Sequence, residues 1–170
     1  IVDERYGYVH EFESTIETTA ALMPEAFLNR VFEGTEEEQH RRLFFISDFD
    51  LHRSPLAKID VNVLIEWCRA RNDASVWASV ATGISLWSKD GEQEVTMSET
   101  AIRLLEASPE PIAVLEASVE CVTSSSSGSR ANVMQPRADA IGRLVEHKKT
   151  EIAVAAKSVS ETLSRCIERE

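Results

Sequence analysis

Apolar residues recur along most of this chain at intervals of three and four, the spacing that predicts amphipathic helices. About eight such segments can be distinguished, separated by short polar stretches that contain Gly, Pro, Asn or Asp. No segment alternates convincingly between apolar and polar residues, so no strand is predicted. Because most connections are short, we expect sequential helices to pack as antiparallel pairs. The predicted fold class is therefore all-α.

Local signals indicate where several of these helices begin and end. Thr35 and Glu38 have the spacing of a capping box, in which the hydroxyl accepts a backbone N–H and the carboxylate reaches back to the cap. Thr96 and Glu99 repeat this pattern further along the chain. Gly34 is expected to end the helix that precedes the first box. We therefore predict helix starts at both boxes.

Further breaks are predicted from turn residues. A helix that begins before Met23 is expected to stop there and to restart at Pro24. Asp60 is predicted to cap one helix, and the pair Asn72-Asp73 to form a turn and cap the next. Residues 89–94 read as a polar loop. Pro136 is expected to lie near the true start of the helix over residues 132–146.

The same periodicity predicts which side chains are buried. Three tryptophans recur at ten-residue intervals, Trp67, Trp77 and Trp87, and we place them on helices as core residues. A tryptophan exposed on a concave face would instead be a contact for a protein partner. The other predicted core positions include Leu43, Phe44, Ile46 and Phe49, then Leu64, Ile65 and Cys68, then Ile152, Ala155, Ala156, Val159, Leu163 and Cys166.

The charge distribution narrows the range of partners. The 170 residues carry a net charge of -11, which disfavours contact with nucleic acid phosphates. Residues 121–170 are mildly basic, and Arg130 and Arg137 are candidate contacts for an acidic partner. No apolar stretch approaches the roughly 18 residues of a membrane span, so no membrane partner is expected.

Cysteine usage and the first residue bear on the protein's origin. Cys68, Cys121 and Cys166 are far apart, and none belongs to a zinc-binding pattern. We expect reduced, buried thiols in a cytoplasmic protein. The chain begins with Ile1, which we interpret as the start of a C-terminal part of a longer protein.

One constellation suggests metal binding. Asp48, Asp50 and His52 alternate along the chain and could hold a divalent cation if the segment were extended. On a helix, residues two apart do not share a face, and the intervening Phe49 and Leu51 favour a helix end. Phosphate-binding glycine loops and activated serine motifs are absent from the sequence. We therefore predict no catalytic residue, no cofactor and no metal.

A weak internal period suggests a repeat architecture. Three similar turn-plus-helix starts lead to Val76, Ile112 and Ile152, with about one other helix between successive starts. A two-helix unit that recurs in this way is typical of an α-solenoid, in which stacked hairpins share one core. An irregular helical bundle is the alternative.

Two of these starts carry a resemblance to a known class. The run from Asp73 to Val76 leads into Val80-Ala81, and Glu151-Ile152 leads into Ala155-Ala156. These segments resemble HEAT and armadillo repeats over residues 35–170. The resemblance implies one helical-repeat domain over residues 1–170, with residues 1–34 as an N-terminal cap. It also implies a non-enzymatic scaffold that binds a protein partner, with its oligomeric state left open.

A second resemblance suggests another role. The segment Gly128-Ser129-Arg130-Ala131, followed by Arg137, His147 and the closing residues 167–170, is similar to the C-terminal helical region of large bacterial conflict or defence proteins that contain an NTPase. This resemblance implies a regulatory or sensor domain of a larger multidomain NTPase.

Overall fold

The structure, a computed structural model, describes residues 14–47, 54–84, 87–90, 94–120 and 130–169. Helices dominate these ranges, so the predicted all-α class is confirmed. The chain divides into two compact units, Ile1–Ala70 (unit 1) and Arg71–Glu170 (unit 2), which are described separately. The single helical-repeat domain expected over the whole chain stays a prediction.

Unit 1 is helical throughout most of its described residues. Its elements are α1 (residues 14–22), α2 (Pro24–Val31), α3 (Glu36–Ser47), the 3₁₀ turn Pro55–Lys58 and α4 (Val61–Arg71). The predicted restart after Met23 is confirmed, because Pro24 occupies the first turn of α2, where its missing N–H costs no helical hydrogen bond. Asp60 caps α4 as predicted, with its Oδ1 accepting the backbone N–H of Asn62 at 2.8 Å.

The turn between α2 and α3 confirms the first capping box. The backbone N–H of Thr35 donates to Glu38 Oε2 at 2.9 Å, and the backbone N–H of Glu38 donates to Thr35 Oγ1 at 3.4 Å. The backbone hydrogen bond from Thr35, and then a hydrogen bond between the Thr35 side chain and the carboxylate, favour the ionised form and hold the pKa of Glu38 below its ordinary value. Gly34 precedes the box with φ +83°, a conformation in which a side chain is strained.

Two side chains from α3 complete this turn. Arg42 Nη1 donates to the carbonyl oxygens of Val31 at 2.9 Å and Arg30 at 3.1 Å. Gln39 Nε2 donates to the carbonyl of Phe32 at 3.2 Å. These oxygens belong to the last turn of α2, which has no intrahelical donors left for them. The cap of α2 is therefore supplied by the following helix, which no local sequence signal announces.

Replacing Gly34 with alanine tests this turn. We expect Gly34→Ala to lower the stability of unit 1 by about 1–2 kcal/mol. The alanine would have to keep the positive φ of this position, and its Cβ would collide with the Glu38 carboxylate. The matched control is Gly142→Ala, whose Cβ would lie 3.8 Å from Ser160 Oγ in helical backbone and which should stabilise by about 0.5 kcal/mol. Urea denaturation of both variants measures the difference, and equal effects would contradict the assignment.

The core of unit 1 forms around Trp67. Its ring lies 5.3 Å from that of Phe32, and its Nε1 donates to Asn29 Oδ1 at 2.8 Å. The prediction that Phe44 belongs to the core is wrong, because Phe44 is 50% exposed, whereas its neighbour Leu43 is buried. Helix α3 has only a small contact with α2, which leaves little surface to bury a second neighbouring side chain. The other buried apolar residues of unit 1 are Ala20, Leu28, Val31, Leu56, Ile59, Leu64, Ile65 and Cys68.

Unit 2 combines helices with a short hairpin. Its elements are α5 (Ser75–Thr82), β1 (Trp87–Asp90), β2 (Glu94–Met97), α6 (Glu99–Ala107), α7 (Pro111–Glu120), α8 (Arg130–Gly142), the 3₁₀ turn Arg143–Glu146 and α9 (Thr150–Ile167). The predicted cap of α5 is confirmed, because Asp73 Oδ1 accepts the backbone N–H of Ser75 at 2.9 Å. Pro136 lies inside α8 rather than near its start, so that expected boundary is wrong.

The hairpin overturns the expectation that no strand exists. β1 and β2 are antiparallel, with Trp87 opposite Met97 and Ser88 opposite Thr96. The polar loop expected at residues 89–94 is thus partly strand, and Trp87 lies on a strand instead of a helix. Each strand has only four residues, too few for alternation to stand out against a helical pattern.

Pairing in β2 also moves the start of the next helix. Thr96 is held in the strand, so the second capping box does not form. Ser98 caps α6 instead, with its hydroxyl oxygen accepting the backbone N–H of Ala101 at 3.2 Å. The cap therefore lies two residues beyond the predicted one, because pairing with β1 holds Thr96 in an extended conformation in which it cannot start a helix.

Helix α7 occupies the middle of the packing in unit 2. It packs against both α5 and α9, while α9 also contacts α8 and the 3₁₀ turn, and α8 contacts β2. Buried positions have the same spacing in two segments: Trp77, Val80 and Ala81 in α5 with Ile84 just after its end, and Ile152, Ala155, Ala156 and Val159 in α9. Val76 and Ile112, which the sequence period singled out, are not buried.

Candidate interaction surfaces

The outward side of α9 exposes an apolar residue. Val154 is 63% exposed and lies two positions after the buried Ile152, which places it on the opposite side of the helix. Glu161 follows seven positions after Val154, on the same strip, and is also exposed. The solvent side of α9 therefore exposes both an aliphatic side chain, Val154, and a carboxylate, Glu161.

Helix α7 presents a similar strip. Ile112 is 40% exposed, and Glu116, one turn further, is exposed as well. The buried Val114, two positions from each of them, lies on the opposite side of the helix. Because α7 packs beside α9, these strips belong to neighbouring helices. We call these exposed residues the outer face, and its members are Ile112 and Glu116 on α7, and Val154 and Glu161 on α9.

Helix α7 contributes carboxylates and no basic residue to the charge of unit 2. No basic residue occurs between Arg103 and Arg130, while Glu106, Glu110 and Glu116 are exposed in that interval. Helix α5 has no charged residue at all. Lys157 and Arg165 add positive charge on α9. The charged members of the outer face are therefore the carboxylates Glu116 on α7 and Glu161 on α9.

The hairpin brings together two predicted contact residues. The guanidinium carbon of Arg137 on α8 lies 5.6 Å from the ring centroid of Trp87 on β1, within the range of a cation–π interaction. Both side chains are half-buried, and Met97 faces Trp87 across the strand pair. Fifty positions separate the two partners, so no sequence pattern could have paired them. The contact fixes the hairpin on α8.

The other predicted contact residues are placed differently. Trp67 is 7% exposed and Trp77 is 3% exposed, so both belong to the core. Arg130 is the first residue of α8, and its side chain lies outside the described part of the chain. The weak metal candidates Asp48, Asp50 and His52 also lie outside the described residues. Within the described ranges, His, Cys, Asp and Glu side chains form no group of three or more that could hold a metal ion.

Hydrogen bonds among His147, Lys149 and Glu106 join α6 to the start of α9. His147 Nε2 lies 3.2 Å from Glu106 Oε1, and the backbone N–H of Lys149 donates to His147 Nδ1 at 3.1 Å. Lys149 Nζ donates to the carbonyl oxygen of Glu106 at 2.5 Å, in the last turn of α6. The His147 side chain is only 18% exposed. The partners of His147 and Lys149 on α6 are more than forty positions away, which puts them beyond sequence analysis.

The cysteines divide between core and surface. Cys68 is buried, and desolvation raises the pKa of its thiol to about 12, which keeps the thiol protonated and unreactive at neutral pH. Cys166 is exposed on α9, so the expectation that it is buried is wrong. It follows the last buried position of that helix, Leu163, near the end of α9. Cys121 lies outside the described residues.

None of the helices in the described ranges is both long and apolar enough to cross a membrane. Comparison of the chain with protein-family models, with curated proteins and with solved structures finds no match. The candidate surfaces of unit 2 are the outer face, with exposed aliphatic and carboxylate side chains, and the tryptophan–arginine contact between the hairpin and α8.

Proposed function

We propose that the protein is a helical scaffold that binds a protein partner through the outer face of unit 2. The observation that carries the proposal is the packing of α7 against both α5 and α9. Helices that pack side by side in this order, with one other helix between each pair along the chain, are what a repeat scaffold requires. The shared spacing of buried residues at α5 and in α9 supports the same interpretation.

The chemistry of the outer face indicates the class of partner. Ile112 and Val154 offer apolar area that is already exposed, and Glu116 lies beside Ile112 on the central helix. A partner segment with apolar residues flanked by Lys or Arg would bury the aliphatic side chains and meet the carboxylates. The partner we propose is therefore a basic, amphipathic protein segment.

Site-specific photocrosslinking tests the proposal. A benzophenone amino acid in place of Val154 is expected to crosslink one discrete protein in the cells that produce the chain. The same crosslinker at Gln135, an exposed residue of α8, is the matched control and should give no such product. Because Ile112 is exposed, Ile112→Glu should keep the fold and reduce the crosslink at least about tenfold, by placing a second carboxylate in the apolar contact.

The partner's own sequence provides the second criterion. A crosslinked segment rich in Lys or Arg, whose yield falls as ionic strength rises, supports the proposal. Equal crosslinking from Val154 and Gln135, or a yield that Ile112→Glu leaves unchanged, would contradict it.

A further inference from the structure

His147 occupies a position in which its protonation state matters to its neighbours. Its Nδ1 accepts a hydrogen bond from the backbone N–H of Lys149, so that nitrogen carries no proton. The proton of the neutral ring is therefore on Nε2, which points at Glu106 Oε1. One imidazole thus joins the last turn of α6 to Lys149, the residue that caps α9.

We propose that His147 is a proton-sensitive latch between α6 and the N-terminus of α9. When the ring takes up a second proton, Nδ1 becomes a donor and faces the donor N–H of Lys149. Two donors at 3.1 Å cannot form a hydrogen bond, so the contact with Lys149 is lost. The contact with Glu106 is kept, because Nε2 remains a donor. Acidification therefore leaves the ring on α6 and releases the backbone N–H of Lys149, while the Lys149 ammonium stays on the Glu106 carbonyl.

Charged groups lie close to the His147 ring. The Glu106 carboxylate faces Nε2 of the ring, and the Lys149 ammonium is bound to the Glu106 carbonyl. The charged side chains of the segments around the ring are Arg103 and Glu106 on α6, Asp139 on α8, Arg143 and Glu146 on the 3₁₀ turn, and Lys148, Lys149 and Glu151 at the start of α9. The latch depends on the geometry of Nδ1, which accepts the backbone N–H of Lys149.

NMR of the His147 ring nitrogens and of the Lys149 backbone amide, recorded on the whole chain, tests the latch. At about pH 8 we expect the His147 ring to carry its proton on Nε2. Between about pH 8 and about pH 5, where histidine side chains titrate, the amide signal of Lys149 should move with the same midpoint as the ring. Its protection against exchange, corrected for the intrinsic effect of pH, should fall about fivefold.

Two variants separate a latch from a merely structural contact. In His147→Asn, the side-chain oxygen can accept the same N–H two residues on, as in an Asx turn, but it does not titrate. The Lys149 amide should then stay protected at both pH values. His40→Gln, at an exposed position on α3, is the control and should leave the Lys149 titration intact.

Three results would overturn the latch. One is a ring proton on Nδ1 at pH 8, and another is a Lys149 amide that does not follow the ring. The third is a Lys149 titration of full amplitude in His147→Asn. The latch and the proposed partner binding are tested by different measurements, so either can fail alone.

Discussion

Leu64→Asp is expected to abolish the folded structure of unit 1. Leu64 is fully buried on α4. Removing its side chain costs about 2–5 kcal/mol in lost packing, and burying a carboxylate without a partner adds several more. The total is comparable to the roughly 5–15 kcal/mol that stabilises a typical domain.

The Trp67 indole provides a specific probe of this effect. Its N–H donates to Asn29, so its proton resonance reports the native packing of α2 against α4. We expect that resonance to collapse to the unfolded position in Leu64→Asp. Ala70→Asp, at an exposed position on the same helix, is the control and should change stability by less than about 1 kcal/mol. A native Trp67 resonance and an unchanged melting temperature in Leu64→Asp would show that the core assignment of α4 is wrong.

Leu163→Asp is expected to have a similar effect on unit 2. Leu163 is 2% exposed on α9, the helix that packs against α7, α8 and the 3₁₀ turn. An aspartate here loses the same packing and leaves a charge among apolar neighbours such as Val159. Because α9 contacts so many elements, we expect the loss to spread beyond the helix itself.

Ser164→Asp is the matched control for this second variant. Ser164 is the next residue of α9 and is exposed, so its replacement introduces the same charge without burying it. Residue-resolved NMR and urea denaturation should show unit 2 destabilised by Leu163→Asp and little changed by Ser164→Asp. A loss of structure confined to the residues after Val159 would contradict the expectation, since it would place Leu163 outside the cooperative core.

Helix positions and several caps could be predicted from the sequence because the interactions that create them are short. The box of Thr35 and Glu38, and the caps at Asp60 and Asp73, join residues two or three apart. Such contacts cost little chain entropy, so local chemistry decides them. The buried stripe of α9, from Ile152 to Leu163, follows for the same reason.

Predictions failed where a distant segment changed the outcome. Thr96 has a capping pattern, but pairing with Ser88 across the hairpin holds it in a strand. Phe44 fits the apolar period of α3, yet the helix has only a narrow contact with α2 and buries Leu43 instead. In each case the local pattern favours the predicted structure, a cap at Thr96 or burial of Phe44. Contacts with other segments decided whether that structure formed.

The sequence by itself determined the all-α class, most helix boundaries and a large part of the core, since all three follow from periodicity and local hydrogen bonds. Only the tertiary structure placed Arg137 over Trp87, closed the end of α2 with Arg42, and joined His147 to both Glu106 and Lys149. It also placed α7 against both α5 and α9, which defines the outer face. These arrangements bring together residues that are far apart along the chain. Their partners are selected by packing and loop closure, which no local pattern encodes.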